Sequence, residues 1–331
     1  MRSSGRPSFG SGGRRWWHKP IALLTAYEQV GRNAYACRGL FGRRSKAETQ
    51  SRKGVQTVRV SVSYFQQHKA KGLPVVMLTA YDATTARIAE QAGIQVLLVG
   101  DTLGMVVQGH DTTVPVTLDE MLYHTRLVVR GTERALVIGD LPFMTYNIST
   151  DQALANAARF LQQAGAQSVK LEGGRHMAPT IRRLVENGIP VMAHIGLTPQ
   201  SVHQIGGWRV QGRTKAAATR LMDDAKAVED AGAYAVVLEL VPAELASLIS
   251  QRLQIPTIGI GAGPGCDGQV QVFHDILGLF ETFVPKHTRQ YAKLGEAMRA
   301  AITTYKTEVE QRLFPTIAHA ASMDAELLAE I

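Results

Sequence analysis

From about residue 58 the chain alternates short apolar runs with amphipathic stretches of helical period. The runs fall at residues 75–78, 96–99, 135–138, 168–171, 191–194, 235–240, 257–260 and 282–284. They are mostly continuous, the pattern of strands buried on both faces. Eight strands separated by helical segments predict a parallel sheet with crossover connections. Packed into roughly 230 residues, eight such units suit a closed (β/α)8 TIM barrel better than an open sheet. An extra N-terminal helix is predicted over residues 61–71 and a closing helix over 295–313. Residues 198–213, which include Trp208, read as a long loop after the fifth strand. Loops of that length inside a compact domain are usually functional.

The joints that lead from helix into strand share a local text: Gln91-Ala92-Gly93-Ile94, Gln163-Ala164-Gly165-Ala166, Glu186-Asn187-Gly188-Ile189 and Asp230-Ala231-Gly232-Ala233. Glycine just past a helix adopts the left-handed conformation without a Cβ penalty, so each joint marks a helix end. Other chemistries find no support. No lysine follows a glycine as a P-loop requires, and neither His-Glu-x-x-His nor Gly-x-Ser-x-Gly occurs. The glycine-rich run 259–265 lacks dinucleotide-binding spacing. It either cradles a ligand with backbone N–H groups or simply turns the chain.

Charge changes the picture at one end only. The 331 residues hold 36 Lys+Arg against 28 Asp+Glu, a formal +8. Residues 1–56 carry twelve basic and two acidic side chains, net +10, while the other 275 carry 24 and 26, net −2. The segment 1–56 is rich in Arg, Ser and Gly and cannot bury enough apolar surface to offset chain entropy. It reads as a disordered basic leader of the transit-peptide type, mitochondrial before plastid; no apolar core follows the charges, as a secretory signal would need. The rival reading is an arm that neutralises nucleic-acid phosphates, but the body offers no matching basic face. Residues 57–331 then form a single barrel domain. With 45% hydrophobic residues a large core is available, and no apolar run approaches the roughly 18 residues of a bilayer span. Two cysteines, Cys37 and Cys266, give neither a disulfide framework nor a zinc cluster. The expected partners are small-molecule substrates, with no nucleic acid and no membrane.

The informative polar residues end the strands. Leu97-Leu98-Val99 runs into Gly100-Asp101-Thr102, Val137-Ile138-Gly139 into Asp140, Val169-Lys170-Leu171 into Glu172, Ala193 into His194, and Val237-Leu238 into Glu239. In a barrel these ends converge on the mouth where active sites lie. Carboxylates gathered in a partly dry mouth repel unless a cation or protons compensate. Oxygen-only ligands select a hard ion such as Mg²⁺. A single acid here is equally well a helix cap, but three acids ending three consecutive strands favour a metal or substrate site. Lys170 lies two residues before Glu172 and so points to the same side; it either meets a substrate carboxylate or forms a plain ion pair. His194 is open between a core histidine and a substrate hydrogen-bonder. His68, His124 and His176 read as solvent-facing, and Asp223-Asp224 with Glu229-Asp230 as a solvated helix face.

Taken together, Thr79-Ala80-Tyr81-Asp82, Val99-Gly100-Asp101-Thr102-Leu103-Gly104-Met105, Gln108-Gly109-His110-Asp111, Lys170-Leu171-Glu172-Gly173-Gly174, His194-Ile195-Gly196-Leu197-Thr198-Pro199-Gln200-Ser201, Val210-Gln211-Gly212-Arg213 and Asp267-Gly268-Gln269 resemble the ketopantoate hydroxymethyltransferase family. The resemblance runs in order from about residue 58 to about 315. It implies a barrel of the phosphoenolpyruvate/pyruvate type. It also implies transfer of a hydroxymethyl group from 5,10-methylenetetrahydrofolate to 3-methyl-2-oxobutanoate, giving 2-dehydropantoate for pantothenate biosynthesis. By motif position Asp101, Asp140 and Glu172 would be the ligands of Mg²⁺ or another hard divalent ion. Asp101, Thr102, Asp140, Lys170 and His194 would contact the keto acid, and Glu239 would be the catalytic base. A homo-oligomer is implied as well. Two positions depart from the usual family text: Thr102 stands where Ser is commoner, and Pro285-Lys286-His287-Thr288 replaces a Pro-Lys-Phe segment. The alternative function is a metal-dependent carbon–carbon lyase acting on another 2-oxo acid.

Overall fold

The computed structural model describes residues 58–280 and 283–331; the basic leader expected over residues 1–56 lies outside the described residues. Eight strands, β1 (Val75–Thr79), β2 (Val96–Val99), β3 (Leu136–Asp140), β4 (Ser168–Glu172), β5 (Val191–Gly196), β6 (Ala235–Glu239), β7 (Thr257–Ile260) and β8 (Gly268–Gln271), close into a barrel in chain order. Neighbours pair in parallel throughout, and β8 returns to β1 with Val75 opposite Gly268. The (β/α)8 fold expected from the pattern is the one observed.

Strand parity sorts the core into two layers. Val75, Met77, Val96, Leu98, Leu136, Ile138, Met192, Ala235, Val237, Ile258 and Val270 fill the barrel interior together with Phe65. Their neighbours, such as Leu97, Val99, Val137, Val169, Leu171 and Leu238, pack outward against the surrounding helices. The predicted extra helix forms as Ser63–Ala70. It plugs the barrel floor with Phe65, whose ring stands 5.1 Å from Tyr234. Four of the helices between strands open on a side-chain N-cap, at Asp82, Thr117, Ser149 and Thr214. Leu118–Gly131, for example, opens with a Thr117/Glu120 capping box and buries Met121, Leu122, Thr125 and Val128. The four predicted glycine joints all have positive φ.

The eighth strand is a correction. Phe283 and Val284 lie in no strand, and Thr282 is outside the described residues. The strand is instead Gly-Gln-Val-Gln, 268–271, of which Gly268 and Val270 are buried. Its two glutamines break the apolar run that marks the other strands. Gly268 is required there, because a Cβ would collide with the carbonyl oxygen of Val75 across the β1–β8 seam. The predicted closing helix forms as Leu294–Glu310 but buries none of its residues. Met298, Ile302, Tyr305 and Val309 make an exposed apolar stripe along it. The expected long loop after β5 begins with two short helical turns, Pro199–Ser201 and Val202–Ile205.

Three surface readings also change. His124 is half-buried, and its Nδ1 lies 2.7 Å from the Tyr81 carbonyl oxygen. His68 is likewise half-buried, its Nδ1 2.9 Å from the Tyr64 carbonyl oxygen of its own helix; only His176 is exposed. The Glu229 carboxylate accepts the backbone N–H groups of Gln254 and Ile255, and that of Asp224 accepts Arg175 N–H. These acids pin loops that sequence patterning does not place beside them. Among the described residues no helix is long and apolar enough to cross a membrane.

Candidate active site

Parity also builds the site. Inward positions on β3 continue from Ile138 to Asp140, on β4 from Ser168 through Lys170 to Glu172, on β5 from Met192 to His194, and on β6 from Val237 to Glu239. On β3, β5 and β6 the inward side changes from apolar to ionisable in one two-residue step at the mouth, and on β4 from a buried serine. The register fixes the neighbours: Asp140 lies opposite Lys170, and Glu172 opposite His194. Gly139 makes room behind Asp140, where a Cβ would collide with the Phe160 ring. Asp101, Asp140, Lys170, Glu172 and His194 are all buried, and they line one small cavity of about 50 Å³ with Thr102 and Glu239. The structure thus brings every sequence-predicted site residue together.

The contacts are ionic and short. Lys170 Nζ lies 2.8 Å from Asp140 Oδ1 and 3.9 Å from Glu172 Oε1. His194 bridges two acids, with Nδ1 3.4 Å from Glu172 Oε1 and Nε2 3.1 Å from Glu239 Oε2. Burial, with the Asp140 and Glu172 charges, pushes the Asp101 carboxyl well above the usual range against the pull of Lys170 and Gln200. Asp140 is raised mainly by burial, although Lys170 opposes the shift. For Glu172 the balance reverses: burial raises it, but His194, Lys170 and the Gln200 N–H together hold it below the usual range. Burial and Lys170 disfavour charge on His194, yet Glu172 and Glu239 outweigh them and push it up to about 9. Lys170 and His194 both face these carboxylates, and Lys170 Nζ lies 3.2 Å from His194 Nδ1.

Two residues complete the site that patterning did not assign. Gln200 Nε2 donates to Asp101 Oδ2 at 2.8 Å and to the Leu141 carbonyl oxygen at 3.0 Å, while its backbone N–H donates to Glu172 Oε2 at 3.0 Å. The Tyr146 hydroxyl donates to Gln200 Oε1 at 2.7 Å. Gln200 lies in the quoted motif, but a glutamine in a loop carries no signal of role. Tyr146, after β3, offers none either.

The donor chemistry fits a hard cation. Asp101, Asp140 and Glu172 offer oxygen only, although Asp140 Oδ1 and Glu172 Oε1 face Lys170 and His194 in this structure. As they stand, however, no group of three His, Cys, Asp or Glu side chains among the described residues is arranged to hold a metal ion. Lys170 supplies the compensating charge. Beside this polar pocket opens a second cavity of about 1290 Å³, with Met105, Val106, Trp208, Leu240 and Phe280 among its walls. The two share Thr102, Pro199, Glu239, Ile260, Gln271 and Val272. Glu239 therefore stands on the boundary between a small ionic pocket and a large apolar one.

The sequence profile of a family described as ketopantoate hydroxymethyltransferase matches residues 59–317. The chain belongs to the ketopantoate hydroxymethyltransferase family. It is similar to the 3-methyl-2-oxobutanoate hydroxymethyltransferase of Chloroflexus aurantiacus, 59% identical over 275 residues, covering 83% of this chain and 97% of that one. It is also similar to that of Dehalococcoides mccartyi, 54% identical over 274 residues, with 83% and 97% covered. A ketopantoate hydroxymethyltransferase of this family is an enzyme, a transferase of hydroxymethyl groups. Among solved structures, a phosphonopyruvate hydrolase superposes with a TM-score of 0.53 at 13% identity, covering 82% of this chain and 94% of that one. At that identity the likeness concerns the barrel alone.

Proposed function

We propose that the chain transfers a hydroxymethyl unit from 5,10-methylenetetrahydrofolate to C3 of 3-methyl-2-oxobutanoate, giving 2-dehydropantoate, with a divalent ion such as Mg²⁺ held by Asp101, Asp140 and Glu172. The observation that carries it is the place of Glu239, which faces a compact ionic pocket on one side and a cavity large enough for a pterin on the other. When bound, the ion would act as a Lewis acid on the 2-oxo acid. Lys170 offers an ammonium to the substrate carboxylate. His194, whose imidazole Glu172 and Glu239 push upward, offers an N–H to the keto oxygen where negative charge develops. Glu239 takes the C3 proton as general base, and the resulting carbon nucleophile faces the cavity in which the one-carbon donor sits. Thr102, shared by both cavities, keeps the hydroxyl of the commoner Ser and adds a methyl group.

Two broader expectations are part of this reading. The exposed stripe on Leu294–Glu310 supports a homo-oligomer that covers it, which light scattering tests. Import into mitochondria rests on the composition of residues 1–56 alone, which precede the match beginning at 59, and N-terminal sequencing of the protein from isolated organelles tests it.

The decisive experiment follows C3–H exchange of 3-methyl-2-oxobutanoate in deuterated water by NMR, with Mg²⁺ and with EDTA, before any folate is added. Exchange that needs the ion and disappears in Glu239→Gln, a loss of roughly 10²- to 10⁴-fold for a missing general base, supports the mechanism. Undiminished exchange in the variant removes Glu239 from its role, and full exchange under EDTA removes the ion.

A further inference from the structure

The large cavity holds one carboxylate that the reaction at C3 does not use. Asp275 sits in the short turn Phe273–Ile276 just past β8, at the mouth. The turn is rigidly held. Phe273 N–H donates to Thr79 Oγ1 at the end of β1 at 3.0 Å, the Phe273 side chain is buried, and the His274 ring lies 5.5 Å from that of Tyr81. Asp275 is only 7% exposed and lines the cavity. Its carboxylate has no hydrogen-bond or ion-pair partner among the described residues, and burial alone pushes it up to about 6. No described side chain donates to these oxygens, which open onto a ligand-sized cavity, so a ligand seated there meets two acceptors that only water otherwise fills.

The chemistry narrows the class. A carboxylate with two free oxygens is satisfied by two adjacent N–H groups on a planar edge. The 2-oxo acid has no such group and carries a negative charge of its own. A 2-amino-4-oxopyrimidine edge has both, in the ring N–H and the neighbouring amino group, and its flat ring suits walls built from Met105, Trp208 and Phe280. We propose that Asp275 reads the pterin edge of the folate donor, accepting its ring N–H and 2-amino N–H, and thereby selects the one-carbon co-substrate. This deepens the donor assignment made above and rests on it. Asp275 is a specificity residue for the second substrate and takes no part in deprotonating the first.

The test uses the full chain and calorimetric titration with tetrahydrofolate and its 2-desamino analogue, alongside the folate-free exchange assay at C3. Asp275→Asn should weaken tetrahydrofolate binding by about 10- to 100-fold, the range for losing a charge-assisted hydrogen-bond pair. The exchange rate and the keto-acid KM should stay at wild-type values. The 2-desamino analogue should bind wild type and variant equally weakly, since removing either partner breaks the same pair. Wild-type affinity for tetrahydrofolate in the variant, or a loss for the analogue as large as that for tetrahydrofolate, overturns the assignment. A parallel loss of C3 exchange also overturns it, because the residue would then be structural. If wild-type protein itself neither binds tetrahydrofolate nor uses the methylene form, the donor reading falls first and this assignment falls with it.

Discussion

Gln200 holds Asp101 and Glu172 with different atoms of one residue: its side-chain amide donates to Asp101 Oδ2 at 2.8 Å and its backbone N–H to Glu172 Oε2 at 3.0 Å. The loop after β5 therefore sets the orientation of one acid just past β2 and another that ends β4. Gln200→Leu keeps the backbone bond but leaves Asp101 Oδ2 and the Leu141 carbonyl without their amide donor, while the Tyr146 hydroxyl keeps only the Glu172 backbone. Unmade buried bonds of this kind cost roughly 2 kcal/mol, a fall in Tm of about 4–8 °C. Because Asp101 loses its orientation while Glu172 keeps its own, the variant should need more Mg²⁺ for half-maximal activity. A melting curve and a metal titration check the two effects separately.

The buried pair Lys170–Asp140 gives a sharper separation of charge from shape. Both side chains are at most 5% exposed, so Lys170→Met leaves Asp140 without its cation in a dry pocket, while Glu172 keeps His194. Breaking such a pair costs about 3–5 kcal/mol, visible as a lowered denaturation midpoint with little change in slope. Added Mg²⁺ should recover part of that loss if the ion shares the same carboxylates, whereas the keto-acid KM should remain raised. Unchanged stability would mean that the ammonium is not the charge that balances these acids.

Gly196 couples β5 to Glu239, the proposed base. Its φ is +94°, it pairs with Glu239, and a Cβ would collide with the Glu239 carbonyl oxygen. Gly196→Ala therefore both strains β5 and pushes β6 outward at Glu239. The expected cost is about 2–4 kcal/mol of stability, and C3 exchange should fall more than tenfold, since displacements near 1 Å can cost about 10²-fold. Retained exchange in a destabilised protein would show that the base tolerates movement of its strand.

The ionisable residues of the pocket were legible because a parallel barrel turns sequence into geometry by parity. Once β3 through β6 are placed, Asp140, Lys170, Glu172, His194 and Glu239 have only one side to face. Asp101 followed from the same strand-end rule, although it sits just past β2. Gln200 and Tyr146 were not legible, since they reach the pocket from loops whose paths depend on tertiary packing. Asp275 was hidden by a different cause. With β8 misplaced to residues 282–284, the turn that follows the real strand had no place at the mouth. Gly268-Gln-Val-Gln lacks the continuous apolar run of the other strands because β8 lies beside the open cavity, where Gln269 and Gln271 line the wall.

That cavity wall gives a stability prediction with a definite sign. The Asp275 carboxyl is raised from 3.8 to about 6 by burial. Between those two pH values the folded chain holds a proton that the unfolded chain has released, so stability falls as pH rises through this window. The penalty is absent below pH 4 and complete above pH 6. Water in the open cavity screens the charge and limits the penalty to about 1 kcal/mol. Asp275→Asn removes it, so without ligand the variant should be more stable than wild type at pH 8 by that amount and indistinguishable from it at pH 3.5. Urea unfolding at the two pH values measures this, and saturating tetrahydrofolate at pH 8 should reverse the order, because only the wild-type carboxylate then has N–H donors to accept. A variant less stable than wild type at pH 8 in the absence of folate would mean that Asp275 serves the fold rather than the ligand.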